Sequence, residues 1–223
     1  MKKLFIACVV LMAAVLTSNA QLFVGGSVGL DFGGGTTKRG NTSSDKPTHL
    51  AIEFSPKVGF YLSDDFAIGL EVGFFNALEK TKGTGGSSDI KDNTFGWGFS
   101  PFARYNVIGG EKLSLLLEGA VAIQGYKSKY TSGSTTSNGN PVTAFSVGIL
   151  PVLSYSLSDR LDIEASCDFL RFGFQTVIVK SSANSDNKNI SNNFGFGINS
   201  SFQDFHGTGS TPPDWKVGVV FRF

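Results

Sequence analysis

The sequence predicts an all-β fold, namely an eight-stranded antiparallel up-and-down transmembrane β-barrel preceded by a cleavable signal peptide. Three observations predict it: a short apolar run near the N-terminus, apolar residues that alternate with period two, and links that are alternately short and long. The composition agrees, because 28 Gly and 21 Phe with only two Met favour extended, turn-rich chain over helix.

Residues 1–20 have the layout of a secretory signal peptide. Lys2 and Lys3 form a positive n-region, Leu4–Leu16 is a thirteen-residue apolar run, and Ser18-Asn19-Ala20 places small residues at positions −3 and −1. The apolar run is too short for a spanning helix. We therefore expect residues 21–223 to be the mature domain.

The charge and cysteine content of the expected mature chain exclude some classes of protein. Two of the 19 basic residues lie in the signal, which leaves 17 against 18 acidic residues and a net charge of −1. A nucleic-acid-binding protein would need a concentrated basic face, so we expect no nucleic-acid partner. Cys167 is the one cysteine after Cys8, so no intrachain disulfide is expected. No run of 18 apolar residues follows Gln21, so no transmembrane helix is expected either.

Eight segments place apolar residues on one face and small or polar residues on the other. In chain order they span residues 22–32, 50–62, 66–74, 95–107, 113–123, 145–155, 161–169 and 215–223. In the second segment, for example, Leu50, Ile52 and Phe54 share a face opposite Glu53 and Lys57. A soluble β-sandwich would also alternate, so the period alone does not decide between the two architectures.

The lengths of the links favour the barrel. Tight turns at 62–65, 108–111 and 157–160 alternate strictly with long polar links at 33–48, 80–94, 127–141 and 180–193. An outer-membrane barrel has short periplasmic turns and longer external loops, whereas a Greek-key sandwich has no reason to alternate them. We therefore expect eight strands and four long extracellular loops that are solvated and mobile.

One further alternating stretch needs an explanation. Phe194, Phe196, Ile198 and Phe202 are separated from the last strand by residues 206–213, which contain two Gly and two Pro. A ninth spanning strand would put the C-terminus outside the cell. We expect instead a long eighth strand with a Pro/Gly bulge, whose upper part, 193–202, pairs with an extension of strand seven at 172–179.

The end of the chain carries the most specific motif. Lys216, Gly218, Phe221 and Phe223 match the pattern polar, any, Gly, any, any, aromatic, any, aromatic that ends many bacterial outer-membrane proteins. With the eight alternating segments, the mature chain resembles the OmpA/OmpX-like small-barrel superfamily, a group broadly called outer-membrane β-barrel domain or "porin family" proteins. The resemblance implies a Gram-negative cell outer membrane as the location, export through the periplasm by the Sec translocon, and insertion by the β-barrel assembly machinery. We expect a monomer in contact with outer-membrane lipid.

Charged residues on the face opposite the apolar one are expected to point into the barrel, because each would cost a few kcal/mol in hydrocarbon. They are Glu53, Lys57, Glu71, Arg104, Glu118, Glu164 and Asp168. If Leu62 pairs with Phe66 across the first tight turn, Lys57 lies directly opposite Glu71, and Arg104 and Glu118 are similarly placed in the next hairpin. We therefore predict one charged layer formed by Lys57, Glu71, Arg104 and Glu118. It is either a paired polar plug or the wall of a narrow, cation-favouring pore.

Other candidate sites are weak. His49 and His206 lie in polar segments with no assignable catalytic partner, and no Cys/His spacing suits a metal. We expect no enzyme activity, no cofactor and no metal. The alternative of a lipid-modifying enzyme would need His49 near a rim Ser and a carboxylate.

Aromatic residues expected at the two membrane interfaces are Phe95, Trp97 and Trp215 outside and Tyr105, Tyr155 and Phe223 inside. The predicted function is a structural or surface-interaction barrel, with a low-conductance porin as the alternative.

Overall fold

The computed structural model describes residues 21–40, 42–83, 87–167, 170–180, 188–198 and 215–223. The expected signal peptide at 1–20, the inward charge expected at Asp168, and the expected interruption at 206–213, with His206, lie outside the described residues. The described chain contains eleven strands. They are β1 (Gln21–Arg39), β2 (Thr42–Tyr61), β3 (Phe66–Thr81), β4 (Ile90–Gly109), β5 (Leu113–Ser132), β6 (Thr135–Asn138), β7 (Val142–Ser158), β8 (Leu161–Cys167), β9 (Leu170–Lys180), β10 (Lys188–Ile198) and β11 (Trp215–Arg222).

Eight of these strands close into an antiparallel ring. The pairing runs β1-β2-β3-β4-β5-β7-β8-β11, and β11 pairs with β1 to complete the circle. Each hairpin forms where the alternating pattern is interrupted by a tight polar turn, such as Leu62 to Phe66, whose backbone groups hydrogen-bond across the turn at 2.8 Å. The predicted fold class, an all-β eight-stranded antiparallel barrel, is confirmed.

Strands seven and eight of the ring each have two parts. In β7, residues 152–158 pair with β8 and residues 142–149 pair with β9. In the same way β11 pairs with β8, and β10 pairs with β9. Phe194 lies opposite Phe174, so the upper part of strand eight does pair with the extension of strand seven. It begins at Lys188, five residues earlier than expected, and residues 199–202 lie outside the described chain.

The four long links were predicted to be solvated, mobile loops, and two of them, 33–48 and 127–141, are instead largely paired strand. The β1–β2 ladder continues to the pair Arg39 and Thr42, and the β5–β6 ladder to the pair Ser132 and Thr135. Gly40 and Gly133 adopt φ values of 62° and 58° at these turns, a conformation that glycine adopts without steric cost. Polar residues pair as readily as apolar ones through their backbones, so the strands extend into solvent as hairpins.

The ring is polar inside and apolar outside. Side chains that point inward include buried Arg104, Glu118 and Asp162, whereas large apolar side chains are exposed on the outer surface of every strand of the ring. Two apolar clusters lie inside the ring. The upper one lies between the buried charges and the outer hairpins, and the lower one lies between the buried charges and the tight turns. No helix of the described chain is long and apolar enough to cross a membrane.

Candidate functional site: the charged interior

The buried charges come from five different strands. Lys57 on β2, Glu71 on β3, Arg104 on β4, Glu118 on β5 and Glu164 on β8 meet near the middle of the lumen. We call these five residues the charged layer. Each occupies an inward position because its strand neighbours are apolar and point outward, which is the strand period of two.

The hairpin registers bring the four predicted residues together. Lys57 is the direct cross-strand partner of Glu71, and Arg104 is that of Glu118. Lys57 Nζ lies 3.6 Å from Glu71 Oε2, and Arg104 Nη2 lies 2.5 Å from Glu118 Oε2. The two pairs are also joined to each other, since Lys57 Nζ is 3.9 Å from Glu118 Oε2.

Glu164 is the member that the predicted layer omitted. Arg104 Nη1 donates to Glu164 Oε1 at 2.6 Å, and Lys57 Nζ lies 3.3 Å from Glu164 Oε2. Its inward direction followed from alternation, but its height did not, because β8 is not a hairpin partner of β2 or β4. The contact crosses the lumen, and hairpin register carries no information on such contacts.

Arg104 is the centre of the charged layer. Its side chain is 2% exposed, and its guanidinium carbon lies 5.5 Å from the ring centre of Phe23 and 5.2 Å from that of Phe102. A guanidinium near two aromatic rings with two carboxylate partners is held by both cation–π and ionic contacts. The layer is therefore a packed arrangement of side chains.

A second ionic group lies beside this layer. Lys216 Nζ on β11 lies 2.6 Å from Glu53 Oε1, and Ser55 Oγ donates to the same oxygen at 2.9 Å. Lys216 was predicted only as part of the assembly signal, and the structure places its side chain inside the barrel. Alternation could have shown this, since Val217 and Val219 point outward.

The other residues of the predicted assembly signal lie at the seam where β11 meets β1. A Cβ atom on Gly218 would lie 2.6 Å from the carbonyl oxygen of Gly26, so glycine permits the close approach of the two strands. Phe221 and Phe223 lie on the outer surface, with their ring centres 5.0 Å apart in an edge-to-face arrangement.

Apolar clusters lie on both sides of the charged layer. Below it are Phe23, Ala67, Phe102 and Val220, and above it are Ala51, Phe75, Ala77, Tyr126, Ala144 and Val177. The Phe75 and Tyr126 rings lie 5.2 Å apart. A cavity of about 150 Å³ lies between the charged layer and the upper cluster, and one of about 590 Å³ opens at the end with the tight turns.

The aromatic residues expected at the membrane interfaces are exposed on the outer surface where their side chains are described. Phe95 and Trp97 lie towards one end of the ring and Tyr105, Tyr155 and Phe223 towards the other. The side chain of Trp215 lies outside the described part of the chain. The described part of the chain therefore carries aromatic side chains towards both ends of its outer surface.

His49 lies within β2, above the ring of apolar residues. Its Nε2 is 3.1 Å from Asp31 Oδ2, and both side chains are partly exposed. Within the described residues no group of three or more His, Cys, Asp or Glu could hold a metal ion. Further out, Lys82 Nζ donates to Asp45 Oδ2 at 2.7 Å, which joins the β3–β4 link to the β1–β2 hairpin and raises the pKa of the lysine.

No protein-family model matches the sequence, and no curated protein matches it. The fold is similar to solved outer-membrane proteins. A major outer-membrane protein of Thermus thermophilus has 14% identity and a TM-score of 0.48, covering 92% of this chain and all of that one. Ail, the attachment invasion locus protein of Yersinia pestis, has 13% identity and a TM-score of 0.42, with 92% and 97% covered. Neisserial surface protein A has 13% identity and a TM-score of 0.40, with 92% and 100% covered.

Proposed function

We propose that this chain is an integral outer-membrane β-barrel with a closed polar interior and a structural or surface-interaction role. One observation carries the proposal: the side-chain distribution is the reverse of that of a water-soluble protein. Charges are buried inside the ring, whereas Val28, Phe54 and Val121 and their equivalents on all eight strands are exposed. An apolar surface that encircles the molecule is costly in water and is favourable in hydrocarbon.

The surface-interaction role rests on the outer hairpins. The β1–β2 and β5–β6 hairpins continue beyond the apolar band with exposed Thr, Ser and Lys side chains. Hairpins with paired backbones present a more rigid surface than irregular loops, because their conformational entropy is already lost. The proposal assigns no catalytic chemistry to the chain.

A charge on the apolar band tests the membrane location. Val121→Arg places a cation at the middle of β5 on the outer surface and should cost about 2–4 kcal/mol of stability in bilayers, with lower yield in the outer membrane. Thr136→Arg, on the exposed β6 beyond the band, is the matched control and should insert like the parent. For a water-soluble protein the opposite result is expected, since Val121→Arg would then be neutral or would increase solubility.

The second candidate function is a low-conductance, cation-favouring porin. Its specific support is that cavities lie on both sides of the charged layer: Glu118 lines one of them, and its partner Arg104 lines the other. Planar-bilayer recordings of refolded protein distinguish the two functions. The closed barrel predicts no steady conductance, whereas a reproducible cation-selective current that Arg104→Ala increases would favour the porin.

A further inference from the structure

The upper cavity is lined largely by small inward residues. Gly73 on β3 lies directly opposite Gly98 on β4, whose partner on β5 is Gln124, and Ala122 and Ser146 also line the space. The next level towards the outer hairpins carries Phe75 and Tyr126, and the level below carries the charged layer. We call this space of about 150 Å³ the chamber.

Glu53 faces the chamber with an unused acceptor. The residue is 8% exposed, its Oε1 accepts from Ser55 and pairs with Lys216, and its Oε2 is buried with no hydrogen-bond partner. A Cβ atom on Gly73 would lie 3.3 Å from Ser55 Oγ and 3.9 Å from Glu53 Oε1, with no other atom within 4 Å. Glycine at position 73 therefore leaves the space in front of this carboxylate open.

The charges around the chamber do not balance. Among the described side chains, the charged layer with Glu53 and Lys216 contains four carboxylates and three cations, a net charge of −1. Arg104 donates to Glu118 and Glu164, so it offers no direct contact to the other two carboxylates. Two cations, Lys216 and Lys57, act on Glu71, and Lys57 Nζ lies 3.6 Å from Glu71 Oε2, which is longer than a hydrogen bond. An uncompensated buried carboxylate is strongly unfavourable.

We propose that the chamber binds one small monovalent inorganic cation. Glu53 Oε2 supplies one negative ligand, the Glu71 carboxylate supplies the second, and the Gln124 side chain also lines the space. Carboxylate, amide and water oxygens suit hard cations, and a single positive charge balances the net −1. The volume is that of about five waters at roughly 30 Å³ each, so the ion keeps part of its hydration shell.

Urea unfolding of the refolded protein in uncharged micelles tests this site. Sodium chloride is exchanged for choline chloride at constant total salt, since the methyl groups around the choline nitrogen prevent direct coordination by carboxylate oxygens. If one Na⁺ binds the folded state, each tenfold rise in Na⁺ above its Kd should lower the unfolding equilibrium constant about tenfold. Glu53→Gln and Gly73→Val should remove this dependence, and Glu111→Gln, an exposed acid at a tight turn, should keep it.

The possible results distinguish a cation bound in the chamber from water, a proton or an ion bound elsewhere. Equal stability of the parent in sodium and choline would mean that the chamber holds water or a proton, and the proposal would be wrong. A sodium dependence that persists in Glu53→Gln would place the ion elsewhere and would equally overturn it. If Gly73→Val fails to refold, the comparison of the parent with Glu53→Gln still decides, because that substitution removes charge without adding volume.

Discussion

Replacing Lys57 with methionine tests whether the charged layer is dry. The Lys57 side chain is 7% exposed and lies within 4.0 Å of Glu71, Glu118 and Glu164. Methionine keeps an unbranched stem of similar length, which can still pack near Phe102, so the substitution removes mainly the charge. Arg104 continues to pair with Glu118 and Glu164, and Glu71 loses its cross-strand partner.

The magnitude follows from what is left unpaired. Removing one member of a buried ionic network strands a charge and typically costs 3–5 kcal/mol, so we expect Lys57→Met to lower the free energy of unfolding by about that amount. If water filled the lumen, the same pair would behave like a surface ion pair and the loss would be under about 1 kcal/mol. A dry lumen and a water-filled lumen therefore differ several-fold in the expected loss of unfolding free energy.

The assay is urea unfolding of the refolded barrel in lipid vesicles, followed by tryptophan fluorescence. Lys112→Met, at an exposed tight turn, is the control and should leave stability unchanged. Lys57→Met with Glu71→Gln should recover part of the loss, since the double variant removes the stranded charge. A loss below about 1 kcal/mol, or no recovery in the double variant, would refute the description of a dry, coupled layer.

Three further predictions test other parts of the molecule. Single cysteines at Ser87 and Ser134, in a Cys167→Ser background, should react with an impermeant thiol reagent on intact cells, whereas one at Asp64 should not; the reverse pattern would invert the topology. Phe223→Ser should lower the amount of protein in the outer membrane while signal cleavage continues, and an unchanged yield would argue against an assembly signal. Gly96→Ala should destabilise the barrel by about 1–3 kcal/mol because its Cβ would overlap the Phe75 ring, whereas Gly98→Ala, whose nearest neighbour is Gln124 Cγ at 3.5 Å, should be nearly neutral in urea unfolding.

Alternation and turn position were enough to predict the ring and the registers of its hairpins. The pair Lys57 and Glu71 follows from two facts of sequence, the parity of the strand and the length of the turn at 62–66. Contacts across the lumen could not be predicted in this way. Glu164 meets Arg104 because of the curvature and stagger of the closed sheet, which no single hairpin specifies.

The outer hairpins were missed because polar sequence was equated with irregular structure. Residues such as Thr36, Thr37 and Ser43 have no apolar alternation, yet they form ladder pairs above the ring. The usable sequence signals were the pairs Gly40-Asn41 and Gly133-Ser134, because glycine followed by Asn or Ser is typical of the two-residue turns that join paired strands. In the structure both glycines have positive φ values.

The arrangement of the lumen explains why a sequence with seven described charges in one region can still form a closed barrel. A passing cation would have to displace Arg104, whose guanidinium is held by Glu118, Glu164 and the rings of Phe23 and Phe102. Any such movement would strand two buried carboxylates at once. Phe23 and Phe102 of the lower cluster would also have to move, because they pack against the guanidinium. We therefore propose that the layered interior closes the lumen, and we expect that weakening either apolar cluster opens it more readily than shortening any outer hairpin.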